Sequence, residues 1–271
     1  MTTRGFTLLE LLIAVTITAV LATALTRILI SDSRFVSQQS SMMAARQTAR
    51  AAQNVTSVEL RMVSDGGLLA AAPDSVTVRV PYAFGVACGV SGGNRIASLM
   101  PADSLMYSLA TPAGVARRLP GGTYTFRQGI TVTATTDTAT CTSESIRRVP
   151  NASWVAIAPS SVAPNGYLFY LYQTVSYRFS TSVDLPGRIG LWRRVNNGAY
   201  EELVAPFDST ARFRFLIGAN PQPVDVAPAD LTTVAGLELK LVTESYERPQ
   251  GKSTYENFDL PIQIVFLNRA N

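Results

Sequence analysis

The stretch from Gly5 to Ile30, GFTLLELLIAVTITAVLATALTRILI, limits what this chain can be more than any other part of it. It is apolar almost throughout and follows a short basic tip, Met1 to Gly5. As a helix, about 25 residues rise about 37 Å, enough to cross a hydrocarbon core of about 30 Å. A cleaved secretory signal fits poorly. Such a segment has an apolar region of about 7–15 residues that ends at small residues. Here the run is longer, and the small residue, Gly5, precedes it. The plain reading is a single membrane anchor.

Glu10 does not suit a plain anchor. A carboxylate in an apolar span costs several kcal/mol unless it is partnered or neutral, on the order of 2.5–3.5 kcal/mol on insertion scales, so it marks a functional position. The helical neighbours Phe6, Leu9, Ile13 and Ala14 are apolar, so the expectation is a partner from outside the helix. Cutting the chain between Gly5 and Phe6 creates a new α-amino group on Phe6. The Phe6 amine of a neighbouring copy or a related subunit then supplies the missing cation.

At these residues the chain resembles the type IV prepilin family: a short basic leader, then Gly5, Phe6, Thr7, Leu8, Leu9 and Glu10, then a long apolar helix. The resemblance implies cleavage after Gly5 by a prepilin peptidase, methylation of the Phe6 amine, and assembly at the inner membrane. Its implied partners are other minor and major pilins or pseudopilins and the inner-membrane assembly platform. Many major pilins carry a helix-kinking proline in the first half of this helix; here there is none, and Arg27 occupies a comparable place, where it snorkels to the headgroups. That difference points to a minor or secretion-type subunit.

From Phe6 to Val63 the chain has neither proline nor glycine. After Ile30 it turns polar, and Phe35, Met42, Ala45, Ala49, Ala52, Val55 and Met62 recur near helical spacing. One continuous helix of about 58 residues and about 87 Å is expected, ending at Gly66-Gly67. Four parts follow: leader 1–5, membrane half 6–30, amphipathic half 31–65, and a β-rich domain 66–271 outside the cytoplasm.

After the glycines the pattern is β. Strands are expected at 74–80, 83–90, 104–109, 123–136 with a break at Gly129, and 153–158. A denser set follows at 167–172, 174–180, 189–195, 199–204, 211–217, 236–244 and 260–268. Asn196-Asn197-Gly198 is a hairpin turn signal. Alternation implies an antiparallel sheet with one face covered by the helix's second half. The fold class is α+β, a pilin-like long helix packed on antiparallel sheet. The order of a Tyr-rich strand, LWRR, Asn-Gly, EELV, FRF and LELKLV resembles minor pilins of the PilW type and the type II secretion pseudopilin GspJ. Segment 70–164 resembles nothing we can name.

Cys88 and Cys141 are the two cysteines. Positive-inside logic places Arg4 in the cytoplasm and both cysteines outside, where oxidation favours a disulfide. Closing a loop of about 50 residues stabilises by about 4 kcal/mol on the chain-entropy view. The alternative is two buried free thiols.

The chain has no histidine, so imidazole acid–base catalysis and imidazole metal ligands are absent. No enzyme activity, cofactor or metal is expected. Gly89-Val90-Ser91-Gly92-Gly93 matches the nucleophile segment of trypsin-like proteases, but a serine needs its base, so a glycine-rich loop is the better reading. Asp225 and Asp230 offer two carboxylates to a Ca²⁺ that needs six to eight oxygens, so a solvated loop is expected there. Arg117-Arg118, Arg147-Arg148 and Arg193-Arg194 are basic pairs. Contact with DNA phosphates is a minor alternative, because a net charge of +4 is a weak bias. A membrane-anchored adhesin or other binding module is the other class of function, and segment 70–164 is where its site would lie.

Overall fold

A computed structural model describes residues 7–143, 153–218 and 222–266. Helix α1 spans Leu8–Arg61, 54 residues or about 81 Å. Thr7 caps its start. From Leu8 to Val36 every residue is exposed; the apolar run to Ile30 needs a cover from outside its own chain, whereas Ser33 already donates to Gln250 Oε1 at 2.7 Å. The buried stripe begins later: Ala45, Thr48, Ala49, Ala52, Thr56 and Leu60. These recur at three- and four-residue steps, so one face meets the sheet. Small residues let the sheet come close enough for the Thr243 hydroxyl to donate to the Ala45 carbonyl at 2.8 Å. Val55, expected on this stripe, points away and is exposed, as is Phe35; Thr56 and Leu60 take the contact positions.

The helix stops before the glycines expected to end it. Met62 caps it in a right-handed conformation. Val63 and Ser64 then leave the helix because both side chains are drawn inward, Ser64 to a hydrogen bond with the Tyr170 hydroxyl. Gly66 serves the turn into the first strand, at φ +69°.

The strands are β1 (Leu68–Ala72), β2 (Ser75–Ser91), β3 (Asn94–Leu99), β4 (Gly114–Arg118), β5 (Tyr124–Gln128), β6 (Thr131–Ala134) and β7 (Ser153–Ala158). They continue as β8 (Leu168–Thr181), β9 (Ile189–Val195), β10 (Glu201–Phe207), β11 (Arg212–Ile217), β12 (Gln222–Val224), β13 (Val234–Glu244) and β14 (Asn257–Val265). Helices α2 (Pro101–Leu109) and α3 (Ala139–Ser143) interrupt them. Every pairing is antiparallel.

Two long strands organise the sheet. β2 and β8 pair along most of their length, from Ser75↔Arg178 to Val86↔Leu168, with one irregularity at Pro81–Ala83. On either side of it both strands change neighbours. Below, β2 pairs with β1 and β8 with β9; above, β2 pairs with β3 and β8 with β4. Each pair of expected strands, 74–80 with 83–90 and 167–172 with 174–180, is therefore one continuous strand passing through two surroundings.

The lower half is the helix-on-sheet layer, with β13 and β14 under α1. Its core includes Ala52, Leu60, Val78, Tyr177, Leu191, Phe213, Phe215, Leu237 and Leu241. The upper half has a separate core, including Ala87, Leu99, Val115, Val155, Ile157, Phe169 and Leu171. Its strands run β5-β4-β8-β2-β3-β7-β6. The two ends of that path are joined in the chain by Gly129-Ile130 alone, so the sheet curls into a barrel with an unpaired seam. Segment 70–164 supplies most of this barrel.

The expected strand at 104–109 is helix α2. Pro101 holds its first position and Asp103 its first turn, both signals for a helix start. The Gly89–Gly93 segment ends in a two-residue hairpin between β2 and β3, with Gly92 at φ +56° and Gly93 at φ +78°, angles that glycine adopts without strain. Cys88 and Cys141 form a disulfide, Cα–Cα 4.8 Å, that ties β2 to α3. Both are fully buried beside Ile96 and Trp154.

Candidate functional site

The membrane-type half of α1 carries its polar groups in a form that lipid tolerates. Thr16, Thr18, Thr23 and Thr26 each donate a hydroxyl back to a carbonyl one turn earlier, at 2.8–2.9 Å. No polar hydrogen of these threonines is left to the hydrocarbon. Arg27 has no ion-pair partner among the described residues.

Glu10 departs from the expectation that its partner must come from outside the helix. Its Oε2 accepts from the Thr7 backbone N–H at 3.0 Å and from the Thr7 hydroxyl at 3.0 Å. The Glu10 N–H donates to Thr7 Oγ1 at 3.3 Å. This is a reciprocal capping box, and its signature, Thr-x-x-Glu opening an apolar run, stands in the sequence. Thr7, three residues before Glu10, is within helical reach, but being uncharged it does not stand out as a partner for a carboxylate. It supplies hydrogen bonds but no positive charge. A cation for Glu10 is still absent among the described residues. Gly5 and Phe6 lie outside the described residues.

A second polar cluster fixes the helix on the sheet. Tyr177 of β8 and Arg193 of β9 are cross-strand partners and share a face. Both reach Glu59 of α1: Arg193 Nη2 donates to Oε1 at 2.5 Å and Arg193 Nε to Oε2 at 3.2 Å, while the Tyr177 hydroxyl donates to Oε2. Burial, and then the Glu59 charge, push the Tyr177 hydroxyl well above its ordinary range, so it stays a proton donor.

The remaining sequence candidates do not come together. Asp225 pairs with Arg214 at 2.9 Å, and Asp230 accepts from the Thr232 N–H and hydroxyl at 3.0 and 2.6 Å. No cluster of three potential metal ligands exists among the described residues. Of the basic pairs, Arg193 is spent on Glu59, and Arg194 stands over the Tyr200 ring at 4.7 Å. Arg147-Arg148 lies outside the described residues. Arg117-Arg118 is on β4 of the barrel.

Residues 1–26 match the family model of the prokaryotic N-terminal methylation motif. With that motif on a long apolar helix packed against a large antiparallel sheet, the chain is similar to type IV prepilins in its N-terminus and pilin-like in architecture. Comparison with curated proteins and with solved structures returned no match.

Proposed function

We propose that this chain is a minor pilin that helps to initiate or cap a type IV filament. The leader Met1–Gly5 is removed between Gly5 and Phe6 by a prepilin peptidase, and the Phe6 amine is methylated. The helix inserts in the inner membrane through residues 6–30, with the β-rich part outside the cytoplasm. Glu10 then meets the Phe6 amine of a neighbouring pilin as the assembly platform draws the subunit into the filament. A pseudopilin of the GspJ kind works by the same steps in a secretion system.

The observation that carries this reading is the bare half of α1. Every residue from Leu8 to Val36 is exposed, with one carboxylate in the first turn that lacks a cation. Lipid covers such a surface before assembly, and other pilin helices cover it afterwards. The second half is already committed to its own sheet.

Glu10→Ala tests it. The variant is expected to remain membrane-inserted and processed, with its copy number in sheared filaments reduced to background. Normal incorporation of Glu10→Ala refutes the pairing role. Mass spectrometry of the native protein is expected to find a mature chain that starts at N-methylated Phe6; a chain that keeps Met1 refutes the processing.

A further inference from the structure

The seam of the barrel is built differently from the rest of its rim. Among the described residues β5 pairs only with β4, and β6 only with β7, so each has a free edge of backbone N–H and C=O groups there. The short 3₁₀ turn Ser160–Val162, which follows β7, meets β5 through the Arg127–Ser161 hydrogen bond. Between them is a concavity of about 300 Å³, lined by Arg117, Thr125, Phe126, Arg127, Ser161 and Val162.

Its charge is one-sided. Arg117 lies opposite Thr125, and Arg127 opposite Val115, so both arginines project from the face that lines the barrel core. Arg117 Nε donates to Thr125 Oγ1 at 3.2 Å, and Arg127 Nη1 to Ser161 Oγ at 2.8 Å. Each guanidinium has five N–H donors, so these bonds orient the heads and leave most of the donors spare. Neither pairs with a carboxylate among the described residues. The nearest acids in the sequence are occupied elsewhere. Asp103 accepts from the Phe84 N–H, and Asp137 from Thr140 and Ser91.

Two independent features therefore meet at one place: a strand edge that is open, and two oriented guanidiniums that have no carboxylate partner, among the described residues. A peptide in extended form complements both, since only another main chain completes a strand edge and a carboxylate fits the guanidinium fork. We propose that the barrel seam binds an extended acidic peptide segment, which adds as a strand to the free edge of β5 and places a carboxylate between Arg117 and Arg127. The site is independent of Glu10 and of filament entry.

The test uses the full chain in detergent micelles and fluorescence anisotropy. The probe is a labelled twelve-residue peptide of alternating glutamate and threonine. Binding that weakens with added salt is expected. A lysine–threonine peptide should not bind. A glutamate–proline peptide keeps the charge but cannot donate ladder bonds, and should bind about tenfold more weakly. The Arg117→Gln/Arg127→Gln variant should lose roughly ten- to hundredfold in affinity for the glutamate–threonine peptide. Its thermal transition should shift little, because Arg127 is exposed and Arg117 is half-buried, with an uncharged glutamine stem replacing most of its packing. The proposal is overturned if the glutamate–threonine peptide fails to bind at millimolar concentration, or if the variant binds it equally well. Equal binding of the proline peptide overturns strand addition. A twelve-nucleotide oligothymidylate binding more tightly than the acidic peptide overturns the choice of ligand.

Discussion

The Glu59 cluster should behave as a three-way clamp between α1, β8 and β9, and a double-mutant cycle measures it. The Arg193 and Glu59 side chains are 24% and 22% exposed, so the pair is neither on the surface nor fully buried. Breaking a buried pair by deleting one partner costs about 3–5 kcal/mol, whereas exposed pairs contribute about 0–1 kcal/mol. An intermediate site with two guanidinium bonds and one tyrosine bond should lose about 2–3 kcal/mol in Glu59→Ala. That variant leaves Arg193 and the Tyr177 hydroxyl without their acceptor. Arg193→Ala should cost less, because Glu59 keeps Tyr177. The double variant should be more stable than the sum of the two losses implies, with a coupling of about 1–2 kcal/mol. Denaturant unfolding of the full chain in micelles, followed by far-UV circular dichroism, reads all four corners. Additivity within about 0.5 kcal/mol would refute the clamp and leave the alanine stripe to hold the helix alone.

Two more outcomes test the upper half. Gly114→Ala places a Cβ 2.4 Å from the Arg127 carbonyl and 2.4 Å from the Tyr172 hydroxyl, so β4 must shift between β5 and β8. A loss of about 1–3 kcal/mol is expected in thermal unfolding, with the acidic-peptide site at β5 disturbed as well. Reducing the Cys88–Cys141 bond opens a loop whose ends are 53 residues apart, worth about 4 kcal/mol on the chain-entropy view. The barrel transition should fall in temperature under reductant, while limited proteolysis of the α1 layer should stay unchanged.

How much of this was legible in the sequence depended on whether the signal was local. The helix could be read because its composition and period run unbroken for dozens of residues. Cys88 and Cys141 were a simple pair to connect. The two-neighbourhood course of β2 and β8 was not legible, because nothing in YLFYLYQTVSYRFS marks where the partner strand changes. The two end strands of the barrel path, β5 and β6, fall within the single expected strand 123–136 with its break at Gly129. Gly129, at φ +66°, turns the chain there, and the two pieces pair with different neighbours. Helix α2 differs from the expected strand because 104–109 is a short run that its pattern alone does not tell from a strand, whereas Pro101, Asp103 and the helix formers Leu105, Met106 and Leu109 favour the helix.

The capping box at Thr7 changes how the lone carboxylate is understood. Before assembly, Glu10 sits in the first turn of α1, where the helix dipole presents about half a positive charge. Two Thr7 donors satisfy its Oε2, so hydrogen bonding no longer opposes storage of the subunit in lipid. What Thr7 cannot remove is the cost of the net charge, since both donors are neutral. In the proposed assembly a neighbour's amine therefore has something left to offer, and it would have to reach Oε1 and Oε2 beside the chain's own Thr7. On this account Thr7→Val and Glu10→Ala fail at different stages. Thr7→Val leaves the carboxylate without its local donors and should lower the amount of subunit held in the membrane, while the molecules that remain still enter filaments. Glu10→Ala should leave the membrane pool intact and empty the filament. If Thr7→Val instead matches Glu10→Ala, with a full membrane pool and no filament entry, the threonine belongs to the docking step and the two-stage account is wrong.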